Sequence, residues 1–418
     1  LVYRAIDRAE EATQGFFASA SMLFESFGIK YIGPVDGHDL SSLVTAIKHA
    51  KEQDGPVIIH ASTVKGKGYE PAEEDPIKWH GVVPFNREKA EFVASANPIK
   101  PPPSYTAVFA DTAIKLAREN PKVVAITAAM AGGTGLDKFQ KVLPEQFQDV
   151  GICEQHAVTM SAGLACEGYK PICAIYSTFM QRAYDQVVHD ICIQKLPVLL
   201  AMDRGGVVGN DGETHQGVFD IAYLRTLPHI TIASPKDENE LQHMLYTGLN
   251  SNLPFAVRYP RGNGTGVEMD SEFKEITIGK AEILQHGEHV ALVAFGPIVQ
   301  TAIEASKRLL AHGITSTVIN ARYAKPLDTK LLSEELPKHQ LICTIEDHAI
   351  QGGFGSAVIE FINDSEITLT NPIKRFGVQD EYVPHASQAE QHRINQYDSD
   401  SIVKYVLEKI SKSSIKAA

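Results

Sequence analysis

The middle of the chain alternates short apolar runs with longer amphipathic segments. Between residues 104 and 262 the apolar runs predict the strands Val123–Thr127, Gln148–Ile152, Ile172–Tyr176, Val198–Met202, Ile230–Ala233 and Phe255–Arg258. Segments with helical periodicity predict the helices Tyr105–Glu119, Gln155–Gly168, Met180–Gln194 and Glu238–Leu249. Strands that are apolar throughout and alternate with helices indicate a parallel sheet covered on both faces.

The rest of the chain predicts further units of the same kind. Residues 276–418 repeat the pattern with the strands Val290–Phe295, Ser316–Ile319 and Leu341–Ile345 and the helix Gln300–His312. Residues 1–97 hold one clear strand, Val57–His60, and open with an amphipathic helix that runs to Phe27. The proline-rich stretch 98–103 predicts a linker, because consecutive prolines favour extended geometry. We therefore expect an α/β protein of successive three-layer parallel-sheet domains at 1–97, 104–275 and 276–418.

Composition narrows the class of protein. A net charge of −12 argues against nucleic-acid binding, and an anionic substrate would need a local basic cluster. No apolar stretch reaches the roughly 20 residues of a membrane span, so we expect no membrane insertion. The five cysteines form no C-x-x-C pair, and four of them lie in apolar segments where we expect buried thiols.

Chemistry-bearing residues follow the predicted strands, at the edge where parallel sheets collect ligands. Glu154 is the first of them, and position alone makes it a helix-start residue stabilised by the helix dipole. Phe179 could stack on a flat heterocycle or fill the core. Arg182 could bind a substrate anion or pair with Asp185.

Four further segments contain glycines or charged side chains that could serve a site or only the local structure. Residues 203–217 mix five glycines with charged side chains, which predicts a mobile polar loop that is either catalytic or a surface turn. Arg258 and Arg261 end a strand, where they could form a phosphate pocket or structural ion pairs. Lys65 and His80 could reach a diphosphate or a reacting carbonyl. The glycines at 352–355 predict a tight turn that opens a helix rather than a nucleotide site.

Six segments together resemble the 1-deoxy-D-xylulose-5-phosphate synthases, a transketolase-like family of thiamine-diphosphate enzymes. They are residues 31–38 (Tyr-Ile-Gly-Pro-Val-Asp-Gly-His), 65–70, 154–158, 176–186, 209–217 and 258–263, in this order. Transketolases and 2-oxoacid dehydrogenase β-subunits share the architecture and the glutamate, but not these loops.

The resemblance implies a transferase of the transketolase type with thiamine diphosphate and Mg2+ as cofactors. Its reaction is the decarboxylative condensation of pyruvate with D-glyceraldehyde 3-phosphate, giving 1-deoxy-D-xylulose 5-phosphate and CO2. That reaction opens methylerythritol phosphate isoprenoid biosynthesis and feeds thiamine and pyridoxal synthesis. A homodimer in a bacterial cytoplasm or a plastid stroma is also implied.

The resemblance also assigns roles to individual residues. The catalytic residues are Glu154, His80 and His215, and the cofactor contacts are Glu154, Phe179, Lys65 and Tyr69. The substrate pocket is formed by Tyr176, Arg182, Arg204, Asp211, His215 and Arg261. In this family the glutamate hydrogen-bonds to the aminopyrimidine ring and activates the cofactor, a task that suits a carboxylate in an apolar pocket.

One departure from the family pattern affects the metal. The family holds Mg2+ and the diphosphate with Gly-Asp-Gly and a later Asn, and the sequence lacks this pair, so we expect no metal ligands in this chain. We expect the family's amino-terminal part to be missing and the chain to be inactive by itself. Two alternatives remain: a 2-oxoacid dehydrogenase β-like subunit, which naturally lacks the metal motif, and a non-catalytic scaffold fragment.

Overall fold

The computed structural model describes residues 21–76, 78–93 and 101–416. The chain divides into two compact units, residues 1–98 and 99–418. Most of the helix predicted to run to Phe27 lies outside the described residues, of which 21–26 are helical. The amino-terminal half of the predicted linker at 98–103 lies outside them as well.

The first unit contains two small sheets in its described part. Strands β1 (Lys30–Asp36) and β2 (Val57–Ser62) are parallel, and β3 (Phe85–Asn86) and β4 (Glu91–Phe92) are antiparallel. The helices are Leu40–Lys51 and Glu70–Glu74. The longer helix begins after Asp39, whose carboxylate accepts a hydrogen bond from the backbone N–H of Ser41 and so satisfies a free amide of the first turn.

The second unit is built on two sheets. Its strands are β5 (Val123–Thr127), β6 (Phe147–Asp149), β7 (Lys170–Tyr176), β8 (Leu199–Asp203), β9 (Thr231–Ala233), β10 (Phe255–Arg258), β11 (Glu282–Gln285), β12 (Val290–Phe295), β13 (Ser316–Asn320), β14 (Tyr323–Lys325), β15 (Leu341–Ala349) and β16 (Lys374–Val378). The seven-stranded sheet has the order β14-β9-β10-β8-β7-β5-β6 and the five-stranded sheet the order β11-β13-β12-β15-β16. Among the described strands of this unit, only β14 and β11, each at the edge of its sheet, pair antiparallel. The predicted parallel α/β class is confirmed.

The connections between these strands are helical. The α-helices are Tyr105–Glu119, Ala131–Thr134, Leu136–Val142, Glu154–Cys166, Ser177–Met180, Tyr184–Gln186, Asp220–Leu224, Glu238–Asn250, Val299–Leu310, Thr329–Glu335, Phe354–Asp364, Gln388–Ile394 and Ser399–Lys416. Short 3-10 helices lie at Pro144–Gln146, Gln181–Ala183, Gly209–Asp211, Glu213–His215 and Leu336–Lys338, and a π-helix at Val187–Cys192.

Strand β5 shows why both faces of the large sheet are covered. Val124 and Ile126 pack in one apolar cluster with the helix Glu154–Cys166. Val123 and Ala125 point the other way and pack with the helices that include Tyr105 and Leu241. Alternate side chains of a strand point to opposite faces, and each fully buried Val or Ile contributes roughly 1.5–3 kcal/mol. A strand with apolar side chains on both faces therefore needs a helix layer on each side.

Two predicted elements differ from the structure near the sheet edge. The strand predicted at Gln148–Ile152 ends at Asp149, because Gly151 has a φ of 73° and its N–H donates to the Asp149 carboxylate. The helix predicted at Met180–Gln194 begins three residues earlier, at Ser177, and mixes α, 3-10 and π turns. Irregular helical turns of this kind are common at functional sites.

Two sequence expectations concern exposure. Among the described residues no helix is both long and apolar enough to cross a membrane. Cys173, Cys192 and Cys343 are buried, whereas Cys153 and Cys166 are exposed, so one of the four thiols expected to be buried is not. Cys166 ends its helix, where the chain has left the apolar face.

Candidate active site

The carboxyl ends of the central strands bring four predicted segments to one edge of the large sheet. Strands β10, β8 and β7 are neighbours, with Arg258 opposite Met202 and Tyr176 opposite Asp203 in the register. The loops that follow these strands are therefore adjacent. The parallel order decides this arrangement, because all of these strands end at the same edge.

Glu154 lies at this edge with its carboxylate almost fully buried, at 3% exposure. It starts the helix Glu154–Cys166 after the loop 150–153. Its Oε1 accepts a hydrogen bond from Arg182 Nη1 at 2.8 Å. Arg182 thus pairs with Glu154, and not with Asp185 as one reading of the sequence allowed. Among the described residues Oε2 accepts no hydrogen bond, which leaves it available to a further donor.

An aromatic group lies beside this ion pair. The rings of Tyr176 and Phe179 are stacked, with centroids 5.8 Å apart and planes 13° from parallel. His215 meets the edge of Phe179 at 5.2 Å, and the Arg182 guanidinium lies 4.9 Å from the centre of that ring. Phe179 is only partly buried. Flat rings and guanidinium groups in such contacts form a surface on which a heterocycle can stack.

Arginines and carboxylates alternate around the aromatic group. Arg204 lies 4.1 Å above the ring of Tyr176 and pairs with Asp203 at 2.8 Å. Asp211 pairs with Arg261 at 3.1 Å and is 3.9 Å from Arg204. The Arg261 side chain is 37% exposed and that of Arg204 is 14% exposed. The predicted basic cluster is therefore partly neutralised, and Arg261 keeps solvent-facing donors that an anion can reach.

Burial perturbs two groups of this site. Burial raises the pKa of Tyr176 above its usual value, and the guanidinium of Arg204 opposes this shift. Burial also raises the pKa of the Asp203 carboxyl, and Arg204 opposes that shift as well. A phenol kept neutral in this way can donate a hydrogen bond at neutral pH.

Three residues that support the site were missed by sequence reasoning. The Thr106 hydroxyl donates to Asp203 at 2.9 Å, and the carbonyl of Gly133 accepts from Arg204 at 2.6 Å. Asp203 itself was treated only as part of a loop, although it is fully buried. The available signal in the sequence was an aspartate at the end of an apolar strand, directly before an arginine.

The glycine-rich loop 203–217, predicted to be a polar loop, is buried over part of its length. Val207 and Val208 are fully buried, and Gly206 and Gly217 exchange backbone hydrogen bonds at 2.7 and 2.8 Å. A Cβ on Gly217 would lie 2.0 Å from the carbonyl oxygen of Arg204. Glycine at positions 206 and 217 therefore allows the two arms of the loop to pack closely.

Arg258 is not part of an open basic pocket. Its guanidinium is 3% exposed and donates to the Asp220 carboxylate at 2.8 Å, and to the carbonyls of Gly217 and Asp347 at 3.1 Å. Asp220 is 1% exposed. Arg258 therefore forms a structural ion pair, which is one of the two roles that the sequence allowed. Asp347 of the five-stranded sheet covers the end of the strand and keeps the guanidinium from solvent.

The glycines at 352–355 form the expected turn before the helix Phe354–Asp364. The Glu346 carboxylate accepts from the N–H groups of Phe354 and Gly355 at 2.6 and 2.9 Å. Burial raises the pKa of Glu346 to about 7. A side chain of the protein thus occupies the position where a nucleotide phosphate would bind.

Lys65, Tyr69 and His80 lie in the first unit. Lys65 and His80 are exposed, and the Tyr69 hydroxyl donates to the carbonyl of Arg87 at 3.1 Å. The Tyr69 ring meets Trp79 edge-on at 5.2 Å. Tyr69 therefore belongs to a local aromatic cluster of its own unit. Within the described ranges no group of three or more His, Cys, Asp or Glu side chains is arranged to hold a metal ion.

Family comparisons match all three regions of the chain. A model described as "Transketolase, pyrimidine binding domain" matches residues 102–266, and "Transketolase, C-terminal domain" matches residues 279–402. A model described as "1-deoxy-D-xylulose-5-phosphate synthase" matches residues 1–63.

Curated relatives match over nearly the whole chain. A 1-deoxy-D-xylulose-5-phosphate synthase of Halothermothrix orenii is 47% identical over 98% of this chain and 64% of its own length. The 1-deoxy-D-xylulose-5-phosphate synthase 1 of Geobacter sulfurreducens is 53% identical over 91% of this chain and 59% of its own length. The chain thus spans about three fifths of the length of these relatives.

Solved structures agree on the architecture. A structure described as "Split gene transketolase, inactive beta4 tetramer" is 28% identical, with a TM-score of 0.65, over 73% of this chain and 98% of its own. The transketolase of Campylobacter jejuni, 16% identical, has the same fold with a TM-score of 0.62 over 93% of this chain and 69% of its own. The resemblance is confirmed: the chain belongs to the transketolase-like 1-deoxy-D-xylulose-5-phosphate synthase family and carries the pyrimidine-binding and carboxy-terminal domains of transketolases.

Proposed function

We propose that this chain supplies the pyrimidine-binding and substrate-binding part of a 1-deoxy-D-xylulose-5-phosphate synthase. The enzyme condenses pyruvate with D-glyceraldehyde 3-phosphate, with loss of CO2, to 1-deoxy-D-xylulose 5-phosphate. The observation that carries the proposal is the buried Glu154 carboxylate, paired with Arg182 and bordered by the stacked rings of Tyr176 and Phe179.

The residues around Glu154 fit thiamine diphosphate. The free Oε2 of this buried carboxylate can accept a hydrogen bond from the aminopyrimidine, and the partly buried Phe179 offers a face for ring stacking. When bound, thiamine diphosphate supplies the nucleophilic carbon and the electron sink that decarboxylation of a 2-oxo acid needs. Glu154 would hydrogen-bond to the ring through this oxygen, and the burial of its carboxylate would strengthen that hydrogen bond.

The alternating arginines and carboxylates fit a phosphorylated aldehyde. Arg261 and Arg182, which are 37% and 49% exposed, would bind the phosphate with their free donors. Asp211 holds Arg261 in place, and Arg204 and Tyr176 line the path to the reacting carbonyl. His215, against the edge of Phe179, would move a proton to or from the aldehyde oxygen.

Three residues of the first unit take the roles that the family resemblance implies for them. Lys65 and Tyr69 are proposed to bind the cofactor, and His80 is proposed as a second proton carrier. Mg2+ would be held with the diphosphate by residues other than those of this chain. Family membership supports these assignments.

The proposal includes partners. The split-gene transketolase that shares this fold is described as an inactive β4 tetramer, which supports the expectation that a chain of this extent turns over only with another polypeptide or segment. We further propose a homodimer as the active unit, in a bacterial cytoplasm, since the two relatives described above are bacterial.

The test is a turnover assay in which the part of a relative that this chain does not span is supplied. The chain is combined with the amino-terminal segment of the Halothermothrix orenii relative, thiamine diphosphate and Mg2+, and CO2 release and 1-deoxy-D-xylulose 5-phosphate are measured. Turnover should require both polypeptides, and Glu154→Gln should reduce it by about 100-fold or more. Glu213→Gln, at an exposed glutamate of the neighbouring loop, is the matched control and should leave turnover nearly unchanged.

Two outcomes would contradict the proposal. Full turnover of the Glu154→Gln variant would favour the scaffold alternative. Acyl transfer from pyruvate to a lipoyl group, without sugar phosphate formation, would favour the 2-oxoacid dehydrogenase β-like subunit.

A further inference from the structure

The five-stranded sheet places a carboxylate directly on the backbone of the loop 203–217. Asp347 lies in β15, and its Oδ1 and Oδ2 are 3.1 and 3.2 Å from the backbone nitrogen of Val207. The Tyr397 hydroxyl donates to Oδ1 at 2.8 Å. His392 Nε2 lies 3.9 Å from Oδ2. The carboxylate thus joins the loop to two elements near the end of the chain.

The neighbouring glycine shows how close this contact is. A Cβ on Gly206 would lie 2.0 Å from Asp347 Oδ2, and the φ of Gly206 is 98°. Both facts exclude a side chain at this position. Only glycine fits at position 206, since the carboxylate occupies the space that a Cβ would need and the backbone φ is positive.

The contact with Asp347 lies between two residues of the proposed substrate pocket. Gly206 and Val207 follow Arg204 by two and three residues and precede Asp211, the partner of Arg261. Gln388 adds a second tie, because its side-chain amide donates to the carbonyls of Val207 and Arg261 at 2.8 and 3.2 Å. The position of the loop relative to Arg261 is thus set from outside the sheet that carries the loop.

We infer that Asp347 is a positioning residue for the phosphorylated substrate. By fixing Gly206 and Val207 it sets the distance between Arg204 and the Asp211–Arg261 pair, to which the proposed function assigns the phosphate. Asp347 itself does not contact the substrate. The inference rests on the proposed function for the identity of the substrate, but its structural part can be tested without turnover.

The structural part is tested by hydrogen exchange on the full chain. Asp347→Ala removes the acceptor of the Val207 N–H, so amides 206–217 should exchange about tenfold faster or more, while amides of β8 keep their protection. In Asp347→Asn the side-chain carbonyl can still accept from Val207 and Tyr397, and most of the protection should return.

A matched control separates positioning from general destabilisation. Asp328 is also buried, and its carboxylate accepts from the N–H groups of Leu331 and Ala281 at 3.1 Å, away from the loop. Asp328→Ala should lower global stability without selective exchange at 206–217. If Asp347→Ala leaves the loop as protected as in the unmodified chain, or speeds exchange in β8 and the loop alike, the inference is wrong.

The functional part is tested by kinetics with the assembled two-polypeptide enzyme. Asp347→Ala should raise the KM for D-glyceraldehyde 3-phosphate about tenfold, leave the KM for pyruvate nearly unchanged, and be largely rescued in Asp347→Asn. An unchanged KM for the aldehyde, despite faster loop exchange, would refute the link to the substrate. If the unmodified assembly forms no sugar phosphate, the proposed function fails while the exchange experiment still decides the role of Asp347.

Discussion

Gly133 and Gly132 are neighbouring glycines in the short helix Ala131–Thr134 with opposite surroundings. A Cβ on Gly133 would lie 1.7 Å from the hydroxyl oxygen of Tyr176 and 2.7 Å from its Cζ. A Cβ on Gly132 would meet nothing within 4 Å. We therefore predict that Gly133→Ala destabilises the protein and disturbs the proposed substrate pocket, whereas Gly132→Ala does neither.

The magnitude follows from the displacement that the new methyl group forces. The Tyr176 hydroxyl must retreat by at least 1.7 Å to reach an ordinary contact of 3.4 Å. Its ring cannot move alone, since Phe179 stacks on it and the Arg204 guanidinium lies 4.1 Å above it. Overpacking of this kind costs about 1–3 kcal/mol. Both variants gain the same helix preference of alanine over glycine, about 0.5–1 kcal/mol, so it cancels in their difference.

Urea unfolding measures this difference. The unfolding free energy of Gly133→Ala should be about 1–3 kcal/mol below that of Gly132→Ala at an unchanged denaturant slope. Adding Tyr176→Phe to Gly133→Ala removes the hydroxyl but leaves Cζ at 2.7 Å, so it should restore part of the stability and reveal a favourable coupling between the two positions.

Equal stability of the two glycine variants would refute the reasoning, because it would mean that Tyr176 moves away at no cost. The reasoning would also be refuted if the effects of Gly133→Ala and Tyr176→Phe on the unfolding free energy simply added in the double variant. In the assembled enzyme, Gly133→Ala should also raise the KM for the aldehyde phosphate, since displacement of Tyr176 shifts Arg204.

Three further predictions concern buried ionisable side chains. Arg258→Met should lower the unfolding free energy by about 3–5 kcal/mol, because it leaves Asp220 buried without its counterion, whereas the exposed Arg393→Met should change little in the same urea titration. Burial lowers the pKa of His348 from 6.5 to about 4, so the unfolding free energy should fall as the pH falls through this range. His348→Gln should remove this pH dependence, which amounts to at most roughly 1.4 kcal/mol per pH unit. Parallel curves of unfolding free energy against pH for the two proteins would contradict this prediction. Glu238→Gln should lower the unfolding free energy by about 1–3 kcal/mol, because the carboxylate accepts hydrogen bonds from the backbone amides of residues 265–267. Thermal unfolding measures this effect, and an unchanged melting temperature would contradict the prediction.

Much of the sheet framework could be predicted from local pattern. The bounds of β5, β10 and β12 and of the helix Tyr105–Glu119 agree with the apolar runs and the helical periodicity. The strands are mostly apolar because they are buried on both faces, and the helix is long and periodic, so each leaves a strong signal in the residue pattern. The meeting of the loops after β7, β8 and β10 also followed from the sequence, because parallel strands end at one edge.

The details of the site depended on contacts between distant residues. The Arg182 partner is Glu154 rather than the nearer Asp185, and Arg258 is neutralised by Asp220 rather than left free. The pattern around an arginine is the same whether it binds a ligand or a carboxylate. Which one it meets depends on how helices and loops cross above the sheet.

The loop 203–217 shows the same division most clearly. Its five glycines and charged residues indicate, from the sequence, a segment free of regular structure at a strand end, next to the ligand-binding edge. Its backbone is held at Val207 by hydrogen bonds with Asp347 and Gln388, which lie more than a hundred residues further along the chain and in other elements. Local sequence specifies strands, helices and chemical groups through short-range sterics and hydrophobic periodicity. Long-range packing decides which buried donors and acceptors satisfy one another, because that choice depends on the whole arrangement of both sheets.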